Sequence, residues 1–323
     1  MKASSRAIAP IAILMAMLIV GILLPSPVVE AQGASCQVAK RSLPLAGIAE
    51  ASGVAASRRT AGLLWSHNDS GEPMLFAVSA DGGVKGSIRV TGAQGGDWEA
   101  VAVGRCPQGS CVYIGDIGDN GGKRKDVTIY RVPEPAAAAK ETATAESMRA
   151  TYPDGPQDAE AMFVLPGGAV YIVTKGESGP VALYRLPQFR SGASAQLARV
   201  ATVLDANADE GKGGRKGKGK NGKGKKSDNG NSGVPNSQKV TDAGASPDGR
   251  WIALRTHDAI TFFAASELTA GKVREAFRYD VSGLGEAQGE GVALGANGVV
   301  WLTSEGGGKA KPGTLARLSC KLP

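Results

Sequence analysis

A motif that recurs along most of the chain constrains the fold more than any other feature. Each clear copy has a Glu followed by a small residue and then a short apolar stretch, and these copies occupy 97–104, 158–168 and 288–298. Two weaker copies begin near residues 48 and 242. The copies lie 46 to 84 residues apart when they are aligned on Glu50, Glu99, Glu160, Gly244 and Glu290. After allowance for one insertion, this period predicts a β-propeller or a solenoid.

Every copy continues with two further apolar strands, and all but the last are followed by a fourth strand. We expect the segment 36–45, near the N-terminus, to supply the fourth strand of the last copy. Such an exchange closes a propeller ring and leaves no exposed sheet edge. The sequence therefore predicts an all-β fold, a β-propeller of five four-stranded blades in a single domain over 36–323. Six blades are the alternative, if two copies are merged in 135–153 or 196–240.

The first residues have the order of a secretory signal. Lys2 and Arg6 precede an apolar run over 7–24, and prolines and small residues follow. This pattern predicts a signal peptide over 1–31, with cleavage near 31–34 and a secreted or periplasmic cell-envelope location for the mature chain. An uncleaved membrane anchor and lipidation at Cys36 are the alternatives.

Four cysteines fit this export prediction, because an even number in an oxidising compartment indicates disulfides. Cys106 and Cys111 flank the tight turn Pro-Gln-Gly-Ser, which predicts a bridge across a hairpin. Cys36 and Cys320 then pair by elimination, and the strand exchange described above places the same two residues side by side. Four unpaired buried thiols are the alternative.

The net charge of +7 comes from one segment. Residues 212–226 contain eight basic residues and no acidic one, so the rest of the chain is close to neutral. The Lys/Gly-rich stretch 206–237 is predicted to be a disordered surface insertion. It is either a solvated loop or a weak, nonspecific contact for a polyanion such as an acidic cell-surface polymer or nucleic acid. We expect a monomer with no specific nucleic-acid partner.

Several blade motifs resemble known families. The stretch 245–256 (ASPDGRWIALRT) resembles the blade hairpin of TolB-like propellers, and the Glu-Ala or Glu-Gly openings are similar to phytase-like and SMP-30-like propellers. The stretches WSHNDSG (65–71), DWEAVAVG (97–104) and GDIGDN (115–120) resemble a group of bacterial secreted propeller proteins of uncharacterised function. The resemblance spans most of the mature chain. It implies a fold and carries no complete catalytic signature.

The repeat also predicts where the polar residues meet. In a blade, the loop entering strand one and the loop joining strands two and three lie on the same face. The strand-one entries carry the predicted metal ligands, which are Glu50, Glu99, Glu160 and Glu290. The other predicted ligand-binding residues are His67, Asn68, Asp69, Asp97, Asp116, Asp119, Asn120, Lys175, Arg255, His257 and Glu305. Clustered carboxylates need cations to stay ionised, and oxygen-only ligands suit Ca²⁺. The alternative is a structural ring that Lys175 and Arg255 neutralise.

Two functions fit these residues. The first is an exported propeller that binds a small-molecule, glycan or protein ligand, including a cell-surface partner, at an acidic channel mouth with bound Ca²⁺. The second is a metal-dependent hydrolase of phosphoester or lactone type, with Lys175, Arg255 or His257 stabilising developing charge. The chain has no G-x-S-x-G elbow, H-E-x-x-H motif, P-loop or dinucleotide fingerprint.

Overall fold

Short strands joined by tight turns account for nearly all regular structure in the computed structural model, which describes residues 33–204, 234–308 and 310–323. Within these residues, Ala34–Pro323 form one compact unit containing five sheets. The first strand of each sheet contacts the first strands of the two sheets beside it, so the sheets close into a ring. The protein is a five-bladed β-propeller, as the repeat predicts.

The first three blades follow one another along the chain. Blade 1 consists of β2 (Ala51–Ala56), β3 (Leu63–Asn68), β4 (Met74–Ser79) and β5 (Val84–Arg89). Blade 2 consists of β6 (Trp98–Cys106), β7 (Gly109–Asp116), β8 (Val127–Pro133) and β9 (Glu146–Thr151). Blade 3 consists of β10 (Ala159–Val164), β11 (Val170–Thr174), β12 (Val181–Arg185) and β14 (Ala198–Leu204). A short strand before β14, β13 (Ser194–Gln196), pairs in parallel with β9 and extends blade 2.

The last two blades complete the ring. Blade 4 consists of β15 (Val240–Ala245), β16 (Trp251–Thr256), β17 (Ala259–Ala264) and β18 (Glu275–Asp280). Blade 5 consists of β19 (Gln288–Leu294), β20 (Val299–Glu305), β21 (Gly313–Lys321) and β1 (Ser35–Leu45). One helical turn, α1 (Ala265–Leu268), follows β17, and 3₁₀ turns occupy Asn236–Gln238, Ser282–Leu284 and Ala296–Gly298.

Burial falls from the axis outwards. Every residue of β10 is buried, whereas the outermost strand β18 has no buried residue. The inner strands are accordingly continuous runs of small and β-branched residues, and the outer strands are polar. Among the described residues the buried apolar side chains form five clusters, each between two neighbouring blades. Because the cluster between blades 5 and 1 exists only in a closed ring, closure contributes directly to stability.

β1 closes the ring as the strand count predicts. It pairs antiparallel with β21, and Cys36 lies opposite Cys320. These two residues form a disulfide with their Cα atoms 4.0 Å apart. Cys106 and Cys111 form the second disulfide, across the β6–β7 hairpin, with a Cα separation of 5.8 Å. Both predicted bridges are confirmed.

The structure also bears on the domain predictions. The six-blade alternative is wrong, because 135–153 joins β8 to β9 within one sheet and the described part of 196–240 belongs to blades 2, 3 and 4. The predicted signal peptide and residues 205–233 of the predicted insertion lie outside the described residues. Val234 is buried and its N–H donates to the Gly176 carbonyl, so the described residues after this gap begin packed against blade 3. None of the described helices is long and apolar enough to cross a membrane.

Candidate functional site

A break in strand register at one end of the channel shapes the site. In all five described inner strands the pairing with the second strand shifts, between Ala51/Val54, Trp98/Ala100, Ala159/Ala161, Val240/Asp242 and Gly289/Val292. Such β-bulges re-aim side chains and occur often beside binding sites. The equivalent residues at the shifts are Ser52, Glu99, Glu160, Thr241 and Glu290. The sequence alignment was therefore wrong in two copies, where it placed Glu50 and Gly244 at this position.

These five side chains line a polar cavity of about 230 Å³, which we call the acidic mouth. Its other lining residues are Asp69, Asn120, Lys175, His257, Gln288 and Glu305. Most of the predicted metal ligands and many predicted ligand-binding residues are therefore brought together. Sequence reasoning missed Ser52, Thr241 and Gln288, because isolated hydroxyl and amide residues belong to no recognisable motif.

Three predicted residues of blade 1 lie outside the cavity lining. The Asn68 side-chain oxygen accepts from the Glu50 N–H at 3.2 Å, and the Glu50 carboxylate accepts from the Ser70 hydroxyl at 2.7 Å. His67 is fully buried, with its ring edge-on to Trp98. Burial lowers the pKa of His67 to about 4, so the imidazole is neutral near pH 7. These side chains hold the turn beside Asp69.

Two further predicted ligand-binding residues, Asp116 and Asp119, form hydrogen bonds and an ion pair within the loop after β7 and do not line the cavity. Asp116 forms an ion pair with Arg124 at 2.7 Å and accepts from the Asp97 N–H at 3.1 Å. Asp119 accepts from the N–H groups of Lys123 and Arg124 at 2.9 and 2.8 Å. No sequence pattern indicates a role for Arg124, which reaches Asp116 only because this loop folds back on itself.

Arg255 is fully buried and does not line the mouth. Its guanidinium donates to the carbonyls of Gly291 and Thr303 at 2.6 and 2.9 Å and pairs with Glu286. Asp242, also fully buried, accepts from the Val292 N–H at 2.8 Å. Both side chains join blade 4 to blade 5. Arg255 therefore pairs directly with Glu286 and with no carboxylate of the acidic ring, and its charge acts on Glu290 only through space.

Lys175 neutralises part of the mouth, as the structural alternative expected. Its ammonium group forms an ion pair with Glu160 and lies 3.8 Å from Asp158. Burial alone would lower the pKa of Lys175, but these carboxylates raise it overall. Lys175 is therefore charged near pH 7 and balances Glu160.

Of the carboxylates at this end of the channel that have no such partner, three lie close together. Asp69, Asp97 and Glu99, here called the acidic trio, have ligand oxygens that all lie within 4.8 Å of one another. Within the described residues, no basic side chain forms an ion pair with any of the three. Like charges this close disfavour ionisation unless a cation or a proton compensates them.

The pKa values of all three carboxyl groups of the acidic trio are raised above their ordinary values. Burial raises the pKa of Asp69 to about 6, and the charges of Asp97 and Glu160 add to the rise. Burial and the Asp158 charge raise the pKa of Asp97. Burial and the neighbouring Glu160 raise the pKa of Glu99 far above its ordinary value.

Two further carboxyls of the mouth follow the same trend. Burial, with the nearby Glu160 charge, raises the pKa of Glu290 to about 8. Burial and the charges of Asp69 and Glu50 raise the pKa of Glu305 to about 7. The acidic mouth therefore favours bound protons or a bound cation near neutral pH.

The sequence matches no protein-family model and no curated protein. Similar solved structures include the PQQ-bound aldose sugar dehydrogenase of Streptomyces coelicolor, at 12% identity over 89% of this chain and 98% of that chain, TM-score 0.48. The apo aldose sugar dehydrogenase of Escherichia coli shares 12% identity over 88% and 99%, TM-score 0.45. A gluconolactonase of Xanthomonas campestris shares 12% identity over 80% and 69%, TM-score 0.42. Similarities at this level carry no argument about function.

No sequence comparison supports the resemblance to TolB-like or phytase-like propellers, which rests on the blade motifs alone. The fold and the site together define a five-bladed β-propeller with an acidic channel mouth.

Proposed function

We propose that this protein binds Ca²⁺ at its acidic mouth and holds a small-molecule, glycan or protein ligand on the polar face around it. The acidic trio carries the proposal, because three mutually close carboxylates without a basic partner have the charge and spacing of a cation site. A bound divalent cation would balance the charge that otherwise forces these groups to take up protons.

The donor chemistry favours a hard cation. Ca²⁺ takes six to eight oxygen ligands in flexible geometry. Two members of the acidic trio, Asp69 and Glu99, line the cavity, and Asp97 lies beside them outside the lining. The lining also offers the Ser52 hydroxyl and the Asn120 amide oxygen. Cysteine is absent from the lining, and all four cysteines are in disulfides. A soft, thiolate-binding metal therefore has no suitable ligands here.

The remaining lining residues suit the binding of a polar ligand. Gln288, His257 and Glu305 offer neutral and acidic hydrogen-bonding groups around the trio, and the Gln288 amide already donates to Glu290 at 2.7 Å. A sugar hydroxyl or a backbone amide of a protein partner matches such groups, because these ligands both donate and accept hydrogen bonds.

The hydrolase alternative has less support. Among its three proposed electrophilic residues, Arg255 is enclosed away from the mouth and Lys175 is engaged by Glu160. Only His257 is left, and its Nδ1 atom lies 3.1 Å from the Gly289 carbonyl. A hydrolysis panel of phosphoesters and lactones, with and without EDTA, tests this alternative. Calcium-dependent turnover would favour the enzyme over the binding protein.

Calorimetric titration of EDTA-treated protein with Ca²⁺ tests the proposed site. We expect one saturable site in the wild type and at least tenfold weaker affinity in Glu99→Gln, which keeps the side-chain shape and removes the charge. Glu275→Gln is the matched control, because Glu275 lies exposed on the outer strand β18. Absence of a calcium heat, or equal affinity in wild type and Glu99→Gln, would contradict the proposal.

We further propose that the mature protein is exported and monomeric. The two disulfides support export, because such bonds persist in oxidising compartments. The Lys/Gly-rich insertion would add weak, salt-sensitive contacts with a polyanionic surface. Size-exclusion chromatography with light scattering, and retention on an anionic polymer at low and high salt, test these two points.

A further inference from the structure

A second and larger cavity lies at the other end of the channel from the acidic mouth. It has a volume of about 680 Å³, roughly three times that of the mouth. The mouth is lined by the beginnings of the five inner strands, and this cavity by their ends and by the turns that follow. We call it the apolar chamber. Its volume lies within the range of small-molecule sites.

The walls of the apolar chamber differ chemically from those of the mouth. Residues of every inner strand line it, and its larger side chains include Val54, Val103, Phe163, Val164, Leu294 and the neighbouring Trp301 of β20. No acidic residue is among the described lining residues. The charged ones are Arg58 and Arg59, in the turn between β2 and β3.

Arg58 and Arg59 differ in their hydrogen-bond partners. Arg59 donates to the Glu134 carbonyl at 2.5 Å. Arg58 is half-buried and forms no hydrogen bond or ion pair with a described residue, and burial lowers the pKa of its guanidinium. Glu134 attracts Arg58 through space, but its carboxylate already accepts from the Trp65 indole and the Ser110 hydroxyl. Arg58 is therefore a partly desolvated cation with unused donors beside an apolar cavity.

We propose that the apolar chamber binds a small amphipathic carboxylate, whose alkyl or aromatic body lies between the inner strands and whose carboxylate pairs with Arg58. Arginine presents paired donors that match a carboxylate, and such charged hydrogen bonds are stronger than neutral ones. The acidic mouth repels anions, so the two ends of the channel select ligands of opposite charge. This site is separate from the proposed calcium site.

Decanoate is a suitable probe, with decanol as its uncharged counterpart. We expect one saturable decanoate site by calorimetry, accompanied by a change in tryptophan fluorescence because Trp301 lines the chamber. Decanol should bind roughly tenfold or more weakly, since it lacks the charged partner of Arg58. Shortening the acid to nonanoate should weaken binding roughly fourfold, which corresponds to about 0.8 kcal/mol for one methylene.

Three variants locate the site. Arg58→Gln should lose the preference for decanoate over decanol while keeping decanol binding. Arg89→Gln, an exposed arginine on β5, should behave as the wild type, and so should Glu99→Gln, which separates this proposal from the calcium site. No saturable decanoate binding, no preference over decanol in the wild type, or an unchanged preference in Arg58→Gln would each overturn the proposal. The wild-type comparison decides the matter even if Arg58→Gln fails to fold.

Discussion

Removing the Cys36–Cys320 disulfide should cost far more stability than removing Cys106–Cys111. The first bridge joins residues 284 positions apart, and the second joins residues 5 positions apart. The chain-entropy relation for these loop lengths gives about 5.6 kcal/mol for the first and about 2.1 kcal/mol for the second. Residual structure in the unfolded chain lowers both values but preserves their order, because only the first constrains nearly the whole described chain.

The packing of β1 predicts the same order for the two losses of stability. Loss of the first bridge leaves β1, which carries Leu45 in the cluster between blades 5 and 1, held only by pairing with β21 and by its packing. The second bridge spans a hairpin whose two strands stay paired without it. The two double Cys→Ala variants are well matched, because all four cysteines are buried.

Urea unfolding of the wild type and both variants measures the difference. We expect the variant lacking Cys36–Cys320 to lose more free energy of unfolding, by about 2 to 4 kcal/mol, than the variant lacking Cys106–Cys111. Equal losses, or a larger loss for the hairpin bridge, would refute the argument that β1 and its disulfide close the ring.

Two further perturbations test the mouth and the blade packing. In EDTA the melting temperature should fall as the pH rises from 5 to 8. Folding raises the pKa of Glu290 to about 8 and that of Glu305 to about 7, so in this pH range the folded protein holds protons that the unfolded chain has released. Scanning calorimetry should show a flatter slope for Glu290→Gln, and an unchanged slope would contradict the assignment. Gly298→Ala should destabilise the fold more than Gly122→Ala in urea unfolding. Both glycines have a positive φ, which costs a residue with a Cβ about 1–2 kcal/mol. A Cβ at Gly298 would in addition lie 1.8 Å from the Cys320 carbonyl oxygen, whereas a Cβ at Gly122 would have no heavy atom within 4 Å. Equal losses would count against the packing at the β20–β21 edge.

Most of the fold could be predicted from the sequence because a propeller repeats one unit. A recurring Glu followed by a small residue marks the start of three inner strands, the repeat spacing indicates the other two, and strand counting places β1 beside β21. The cysteines then follow from that register, since Cys36 and Cys320 occupy opposite positions. Each of these inferences depends only on local pattern and on closure of the ring.

The site could be predicted only in part, because its details depend on irregularities. The bulge that turns Ser52 and Thr241 towards the axis shifts the register without leaving a motif, so the alignment selected nearby residues instead. Which cation pairs with which anion depends on three-dimensional folding of loops. Arg124 forms an ion pair with Asp116, and Glu286 forms one with Arg255. The sequence spacing of the two residues predicts neither pair.

A crystal structure of the protein grown with Ca²⁺ tests the central proposal most directly. We expect one anomalous-scattering peak in the acidic mouth, with carboxylate oxygens of Asp69, Asp97 and Glu99 at about 2.3–2.6 Å from the ion. The Glu160–Lys175 ion pair should remain, because that charge is already balanced. A mouth without an ion at saturating calcium would contradict the proposal and leave the acidic trio as a protonated structural cluster.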